Sequence, residues 1–354
     1  MPKWKNPELP VLRERVRVVS IPMRVKFRGI LHREALLLQG TAGWGEFSPF
    51  PEYSDEEAVP WLASALEAAE QGYPAPLRTS IPVNGTVPAV PVGQVETVLA
   101  RFGAVTAVKV KVAEAGQAPA EDLARVAEVR RLLPDAGIRV DANAGWDVPT
   151  AVDTLTRLAE AGLEYAEQPV AGIDGLRAVR TELRRRGVPV LVAADESVRK
   201  ESDPLKVARE DAADLIVIKA APLGGVRRAV EIVQQAGLPA VVSSAIDTSV
   251  GIRTGVALAA ALPELPYACG LGTLSLMAGD VTEEPLLPDG GALAVRDVAV
   301  SEELMERFAA TPERTQWWLD RLERVYALRH KAGYPAANSA GTTVGNPAGN
   351  TAET

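Results

Sequence analysis

At 354 residues, 47% of them hydrophobic, the chain is long enough for one large core with a smaller partner domain. Its 38 Lys and Arg stand against 46 Asp and Glu, a net charge of −8, which argues against a nucleic-acid binder because that function normally needs a basic stripe. One cysteine, Cys269, excludes an internal disulfide and points to a reducing compartment.

The first ten residues are polar and proline-broken, unlike a signal peptide, and no apolar run reaches the roughly 20 residues needed to cross a bilayer. A soluble, cytoplasmic protein with no membrane or nucleic-acid partner is expected; its oligomeric state is not legible. Residues 11–21 and 34–39 read as antiparallel strands and 55–71 as a helix. They make an α+β capping domain over residues 1–80. Residues 43–53, GWGEFSPFPEY, are rich in glycine and aromatics and suit a mobile lid.

From residue 81 the pattern changes. Short β-branched runs at 81–86, 105–112, 137–144, 163–169, 188–197, 214–221, 238–245 and 267–273 alternate with helical patterns such as 121–133, 150–161, 175–186 and 226–236. Gly137, Gly162, Gly187 and Gly237 each follow a helix, where a C′ glycine belongs. Strand–helix alternation means parallel strands with right-handed crossovers, and eight strands favour a closed (β/α)7β TIM-like barrel over 81–273. The rhythm then stops. A turn at 288–291, a strand-like run at 292–295 and a helix over 302–324 form a segment, 274–335, expected to return to the capping domain. Residues 336–354 lack apolar anchors and are expected to be disordered.

In a parallel barrel the working groups sit at the C-terminal strand ends. Barrel strand two carries Lys109-Val110-Lys111; residues two apart share a face, so with the valines outward both lysines point inward. Lys111 lies about 6–7 Å nearer the mouth than Lys109. Strand three offers Asp141 and Asn143, strand four Glu167, strand five Asp195-Glu196 and strand six Lys219. Strands three to five are neighbours, so Asp141, Glu167 and Asp195 converge and repel one another. A hard divalent cation relieves that, and all-oxygen ligation favours Mg²⁺, with Mn²⁺ as a substitute. Strands two and six flank the acids, so Lys111 and Lys219 face each other. Taken singly, an aspartate at a strand end is a common helix N-cap and an inward lysine a common ion-pair partner, which Lys109 fits. Glu196 reads equally as a solvated loop residue or a partner for Lys219. As a set, Lys, Asp, Glu, Asp and Lys on five successive strand ends are costly to bury without purpose.

This set resembles the enolase superfamily, in its muconate-lactonising group. The segments that carry the resemblance are Lys109-Val110-Lys111, Asp141-Ala142-Asn143-Ala144-Gly145-Trp146, Glu167-Gln168-Pro169, Asp195-Glu196-Ser197, the Lys219 strand and Gly43-Trp44-Gly45-Glu46. The resemblance implies Mg²⁺ on Asp141, Glu167 and Asp195, with Lys111 as acid/base and Lys219 on the opposite face. It also implies removal of a proton next to a carboxylate of a small substrate. The histidine-dependent branch is disfavoured, because His32 and His330 both lie outside the barrel. Residues 43–53, 243–249 and 270–273 are similar to those of members that eliminate water from a cyclohexadiene carboxylate. Ser243, Ser244, Gly270 and Gly272 are then candidates for a second substrate carboxylate. An N-acylamino acid racemase or dipeptide epimerase using the same lysines stays open. So do a Schiff-base aldolase built on Lys219 and a scaffold that has lost activity.

Overall fold

The computed structural model describes residues 7–329 except 28 and 201; the expected disorder of 336–354, and His330, lie outside the described residues. A short helix α1 (Leu9–Glu14) leads into a three-stranded antiparallel sheet of β1 (Val16–Phe27), β2 (Ile30–Gln39) and β3 (Trp44–Phe47). Residues 11–14 are therefore helical rather than extended, because Pro10 in the first turn presets helical φ. Helix α2 (Asp55–Glu70) begins in a capping box made by Ser54 and Glu57. It lies on β3 so tightly that a Cβ at Gly45 would stand 2.0 Å from the Ala65 carbonyl oxygen.

The barrel follows. Residues 81–86 do not form one strand. β4 (Ser80–Pro82) pairs antiparallel with β12 (Ala292–Ala294), and β5 (Gly85–Val87) starts the parallel sheet. Pro82 has no N–H to carry the ladder onward. Parallel strands β5, β6 (Ala107–Lys111), β7 (Gly137–Asp141), β8 (Leu163–Glu167), β9 (Leu191–Ala194), β10 (Leu215–Ile218) and β11 (Ala240–Val242) are hydrogen-bonded in chain order. The eighth position is shorter than the sequence suggests. Cys269 bridges Val83 and Gly270 bridges Ser243, which closes the ring, and a 3₁₀ turn starts at Gly272. The β12 hairpin sits at the N-terminal end of the barrel, with Gly291 against Ala104 just before β6.

Helices α3 (Val95–Leu99), α4 (Pro119–Leu132), α5 (Val148–Leu158), α6 (Gly172–Arg185), α7 (Asp203–Arg209), α8 (Val226–Ala236) and α9 (Ser249–Ala261) follow the strands in turn. One apolar core runs between the outward strand faces and these helices. The expected helix over 302–324 is two, α10 (Glu302–Arg307) and α11 (Pro312–Leu328), because Thr311 caps a new start ahead of Pro312. Helix α11 packs on α2 and β2. Trp318 is fully buried, stands edge-to-face on Phe47 and donates from Nε1 to Glu34 at 2.9 Å. Truncating such an aromatic costs about 3–5 kcal/mol. Trp318→Ala is accordingly expected to lower the urea midpoint by that equivalent; an unchanged midpoint would show that α11 contributes nothing to the fold.

Candidate active site

The pairing register builds the site. Lys111 on β6 pairs with Asp141 on β7, Asp141 with Glu167 on β8, and Glu167 with Ala193 on β9. Asp195 lies two residues beyond Ala193, on the same face. Lys219 directly follows β10. Asp141, Glu167, Asp195 and Lys109 are all at least nine-tenths buried.

Each acid is held by a lysine. Lys109 Nζ donates to both Glu167 oxygens, at 3.1 and 3.2 Å, and stands 3.3 Å from Asp141 Oδ2. Lys111 Nζ donates to Asp141 Oδ2 at 2.5 Å and to Asn143 Oδ1 at 2.7 Å. Lys219 Nζ donates to Asp195 Oδ1. The Asn143 amide donates in turn to Glu196, which also accepts from Arg199.

The charges do not balance evenly over the three acids. Burial opposes ionisation of Asp141, but Lys111 and Lys109 outweigh it and hold the carboxyl below its ordinary value. Asp195 is likewise lowered, with Lys219 overcoming burial. Glu167 goes the other way. Burial, then the Asp141 charge, push it up to about 8 against the pull of Lys109. Lys109 is raised despite burial, by Glu167 and Asp141.

The mouth is also strained. Ala113, Asn143, Ala144, Gln168 and Ile246 follow barrel strands with φ between 38° and 64°, a left-handed region that non-glycine residues seldom adopt. Gln168 uses its turn. Its Oε1 accepts from the Asp195 and Ser197 amides, at 3.0 and 3.1 Å, and its Nε2 donates to Ser197 Oγ, which fixes the backbone carrying Asp195.

Two spaces that share lining residues lie against these side chains, and Glu167 lines neither. An inner chamber of about 30 Å³ is lined by Lys109, Lys111, Asp141, Asn143, Asp195, Lys219, Ser243, Ser244 and Gly270, with Phe50 and Thr86. A larger outer cavity of about 500 Å³, lined by Tyr53, Trp61, Arg199 and Pro222, shares Phe50, Asp195, Lys219 and Ala245 with it. Gly272 is not brought to the chamber; it packs on Asn84 and Phe102. The Gly270 amide is engaged by the Val242 carbonyl at 2.8 Å. Ser244 Oγ bonds the Gly270 carbonyl and Thr273 Oγ1. Sequence reasoning missed Thr86, Gln168 and Thr273. Thr86 sits at a barrel strand end and was findable by the rule that located the acids. The role of Gln168 depends on its backbone turn, which no residue pattern announces.

Among the described residues no three His, Cys, Asp or Glu side chains are drawn together closely enough to hold a metal ion as they stand. Lysine ammonium groups instead occupy both Glu167 oxygens, Asp141 Oδ2 and Asp195 Oδ1. The donor set still fits a hard divalent cation: three buried carboxylates on adjacent strand ends, all-oxygen, one of them reluctant to ionise without further positive charge. A cation bound through these same oxygens would displace or share the lysine contacts.

The chain has clear relatives. Models of the enolase C-terminal-domain-like and N-terminal-domain-like families match residues 92–299 and 18–69. An o-succinylbenzoate synthase of Thermobifida fusca is 53% identical over 301 residues, covering 85% of this chain and 93% of that protein. One from Mycolicibacterium smegmatis is 51% identical over 323 residues, covering 91% and 98%. Among solved structures, muconate lactonizing enzyme from Pseudomonas putida aligns with a TM-score of 0.68 at 20% identity, over 83% of this chain and 98% of that one. For 2-chloromuconate cycloisomerase from Rhodococcus opacus 1CP the values are 0.70, 22%, 84% and 98%. At such identity the structural likeness speaks for the fold alone.

Glu167 generates a pH prediction. Its folded value, about 8, lies above the ordinary 4.5, so its ionisation opposes folding: the penalty is absent below about pH 4.5 and complete above about pH 8. In chelator, Glu167→Gln is expected to gain stability relative to the unsubstituted protein as pH rises through that window, then level off. Urea titrations across pH 5–9 check this; a difference that stays flat or shrinks contradicts it.

Proposed function

The chain belongs to the enolase superfamily, and on that premise we propose that it catalyses the reaction of an o-succinylbenzoate synthase. Water is eliminated from 2-succinyl-6-hydroxy-2,4-cyclohexadiene-1-carboxylate to give 2-succinylbenzoate, a step of menaquinone biosynthesis. The observation that carries this reading is a chamber with Lys111 and Lys219 over three buried carboxylates, in a chain about half identical to enzymes of that name. The same identity favours elimination over racemisation or epimerisation. A Schiff-base role for Lys219 is disfavoured by its ion pair with Asp195.

Members of this superfamily use a divalent cation. Here we assign Asp141, Glu167 and Asp195 as the residues that would hold it, with Mg²⁺ preferred and Mn²⁺ a substitute. When bound, the cation supplies positive charge against the substrate carboxylate as that group gains electron density. Lys111, once free of Asp141 and having given up its ammonium proton to solvent, takes as the neutral amine the proton from the carbon bearing the carboxylate. The protonated Lys111 returns that proton to the departing hydroxyl, and water leaves. Proton removal and return by one lysine place both events on one face of the ring. Loss of water makes the ring aromatic, so the uphill part is the first proton transfer. Lys219, cationic on the other side, stabilises the negative charge that develops. Asn143 and Glu196 orient Lys111; Lys109 balances Glu167 and Asp141. Ser243, Ser244 and the Gly270 segment line the side of the chamber left for the succinyl carboxylate, and the outer cavity leaves room for the chain that carries it.

We also assign residues 1–80 and 274–335 to one capping domain over the mouth of the barrel, 81–273. Packing of α11 on α2 supports this, although the β12 hairpin stays with the opposite end of the barrel. The lid is then confined to the loop after β3, which includes Phe50 and Tyr53. Among the described residues no helix is long and apolar enough to cross a membrane. A cytoplasmic location suits a small-molecule enzyme with one buried free cysteine.

The direct test is aromatisation followed by ultraviolet absorbance. Turnover is expected with Mg²⁺, is lost in EDTA and returns with Mg²⁺ or Mn²⁺; full activity in chelator, or no aromatisation at all, contradicts the reading. Lys111→Ala is expected to abolish turnover by several orders of magnitude while substrate still binds. Lys219→Ala is expected to lower kcat by about 10²–10³-fold, the loss typical of an oxyanion donor. Near-normal rates in Lys111→Ala would move the proton transfer to another group.

A further inference from the structure

Two helices of the barrel start beside the proposed chamber. Helix α8 begins seven residues after Lys219, and α9 begins five residues after Ser244. A helix start leaves amide N–H groups without partners inside the helix. At both of these starts the partner is a carboxylate from outside the barrel sequence.

At α8 it is Glu67 of α2. Its Oε2 accepts from the Val226 amide at 2.5 Å and its Oε1 from the Arg227 amide at 3.2 Å; Arg227 Nη1 adds a bond at 2.8 Å. At α9 it is Glu46 of β3, beside Asp280, which takes the Ser249 amide at 3.0 Å, and the Thr248 hydroxyl, which takes the Val250 amide at 3.2 Å. Glu46 Oε2 accepts from the Thr248 amide at 3.1 Å, Thr248 Oγ1 at 2.5 Å and the Gly251 amide at 3.0 Å, while Oε1 accepts from Ser48 Oγ at 2.7 Å. Both carboxylates are more than nine-tenths buried. Each also meets a glycine that makes room for it. A Cβ at Gly225 would stand 2.0 Å from Glu67 Oε2, and one at Gly251 would stand 2.6 Å from Asp247 Cβ and 2.9 Å from Glu46 Oε2. Arg33 of β2 strengthens the second seam, donating to the Ile246 carbonyl at 2.8 Å and the Ser48 carbonyl at 2.5 Å. A negative charge at a helix N-terminus is favoured by the helix dipole as well as by these bonds, whereas at Glu46 burial and the neighbouring Asp247 outweigh them and push the carboxyl up to about 7.

We propose that Glu46 and Glu67 are positioning residues: by plugging the starts of α9 and α8 they hold, respectively, the Ser243–Ser244 segment and the Lys219 turn in register with the chamber. The connecting chains are short enough to transmit this. From Lys219 to α8 runs a tight turn in which the Leu223 and Gly225 amides both bond the Ala220 carbonyl. From Ser244 to α9 the Ala245 amide bonds Asp247, and Ile246 is left-handed. The two plugs act on different halves of the chemistry. Glu46 controls a segment that contacts substrate, and Glu67 controls a charged group that serves the transition state. The two domains meet along this seam. This assignment rests on the functional reading above for the roles of Lys219, Ser243 and Ser244.

The experiment compares Glu46→Ala, Glu67→Ala and Gly251→Ala by steady-state aromatisation kinetics with Mg²⁺ and by amide hydrogen exchange. Glu46→Ala is expected to raise KM roughly tenfold with kcat nearly kept, and Glu67→Ala to lower kcat roughly tenfold with KM nearly kept. Gly251→Ala, which crowds both Asp247 and the Glu46 carboxylate, should move KM in the same direction as Glu46→Ala. Glu46→Gln, which keeps an acceptor, should return KM to within about threefold. Exchange should accelerate at residues 248–251 in the first variant and at 226–227 in the second. Variants that lose thermal stability yet keep both kinetic parameters would overturn the proposal, as would an exchange pattern like that of the unsubstituted protein. If the alanine variants do not fold, Glu46→Asp and Glu67→Asp retract the carboxylate by one carbon, and the same two parameters decide. If the unsubstituted protein does not aromatise the substrate, the functional reading has failed, and exchange alone then tests the plugs.

Discussion

Three carboxylates and three ammonium groups share one buried barrel mouth, and their mutual neutralisation is the constraint on which the rest of the site depends. Asp141, Glu167 and Asp195 could not stand on adjacent strand ends as bare anions; the cost of burying them unpaired exceeds the stability of an ordinary domain. Lys111, Lys109 and Lys219 supply the counter-charge. The balance is uneven, since Asp141 receives two lysines and Glu167 shares one of them. Burial, then the Asp141 charge, make Glu167 the acid that ionises least readily, and it sits in the middle of the row. A divalent cation completes the same balance with a compact charge and frees the lysines for chemistry.

The fold serves this arrangement through register. Parallel pairing brings Lys111, Asp141 and Glu167 side by side, and the two-residue period of a strand carries Asp195 onto the same face. What happens just past the strands is less regular. Left-handed turns at Asn143, Gln168 and Ile246 reverse the chain within a residue or two and bring amides and side-chain oxygens back over the mouth. The capping sheet and α2 then close the side next to β10 and β11, with Phe50 reaching both the inner and outer spaces.

Much of this was legible in the residue order because it follows from periodicity. Alternation within strands fixed which side chains of 107–111 point inward, and repeated strand–helix units fixed the order of the acids around the ring. The parts that were not legible depend on contacts distant in sequence. Residues 81–86 read as one β-branched run, yet Pro82 and the partner strand 292–294 divide it. The eighth strand is reduced to a pair of bridges, Cys269 with Val83 and Gly270 with Ser243, which close the ring. Gly272 looked like a substrate contact from its neighbours, but a 3₁₀ turn rotates it onto Phe102. The lysine–carboxylate pairs themselves could not be foreseen: sequence shows that the charges converge, not which oxygen each ammonium takes.

The central claim is that lysines and a metal ion compete for the same three carboxylates. A crystal structure with Mn²⁺, read by anomalous scattering, tests it most directly. The account predicts one ion about 2.1 Å from oxygens of Asp141, Glu167 and Asp195, with Lys111 Nζ displaced from Asp141 and pointing into the chamber. An ion bound elsewhere, or an ion in place while Lys111 keeps its bond to Asp141, would contradict it.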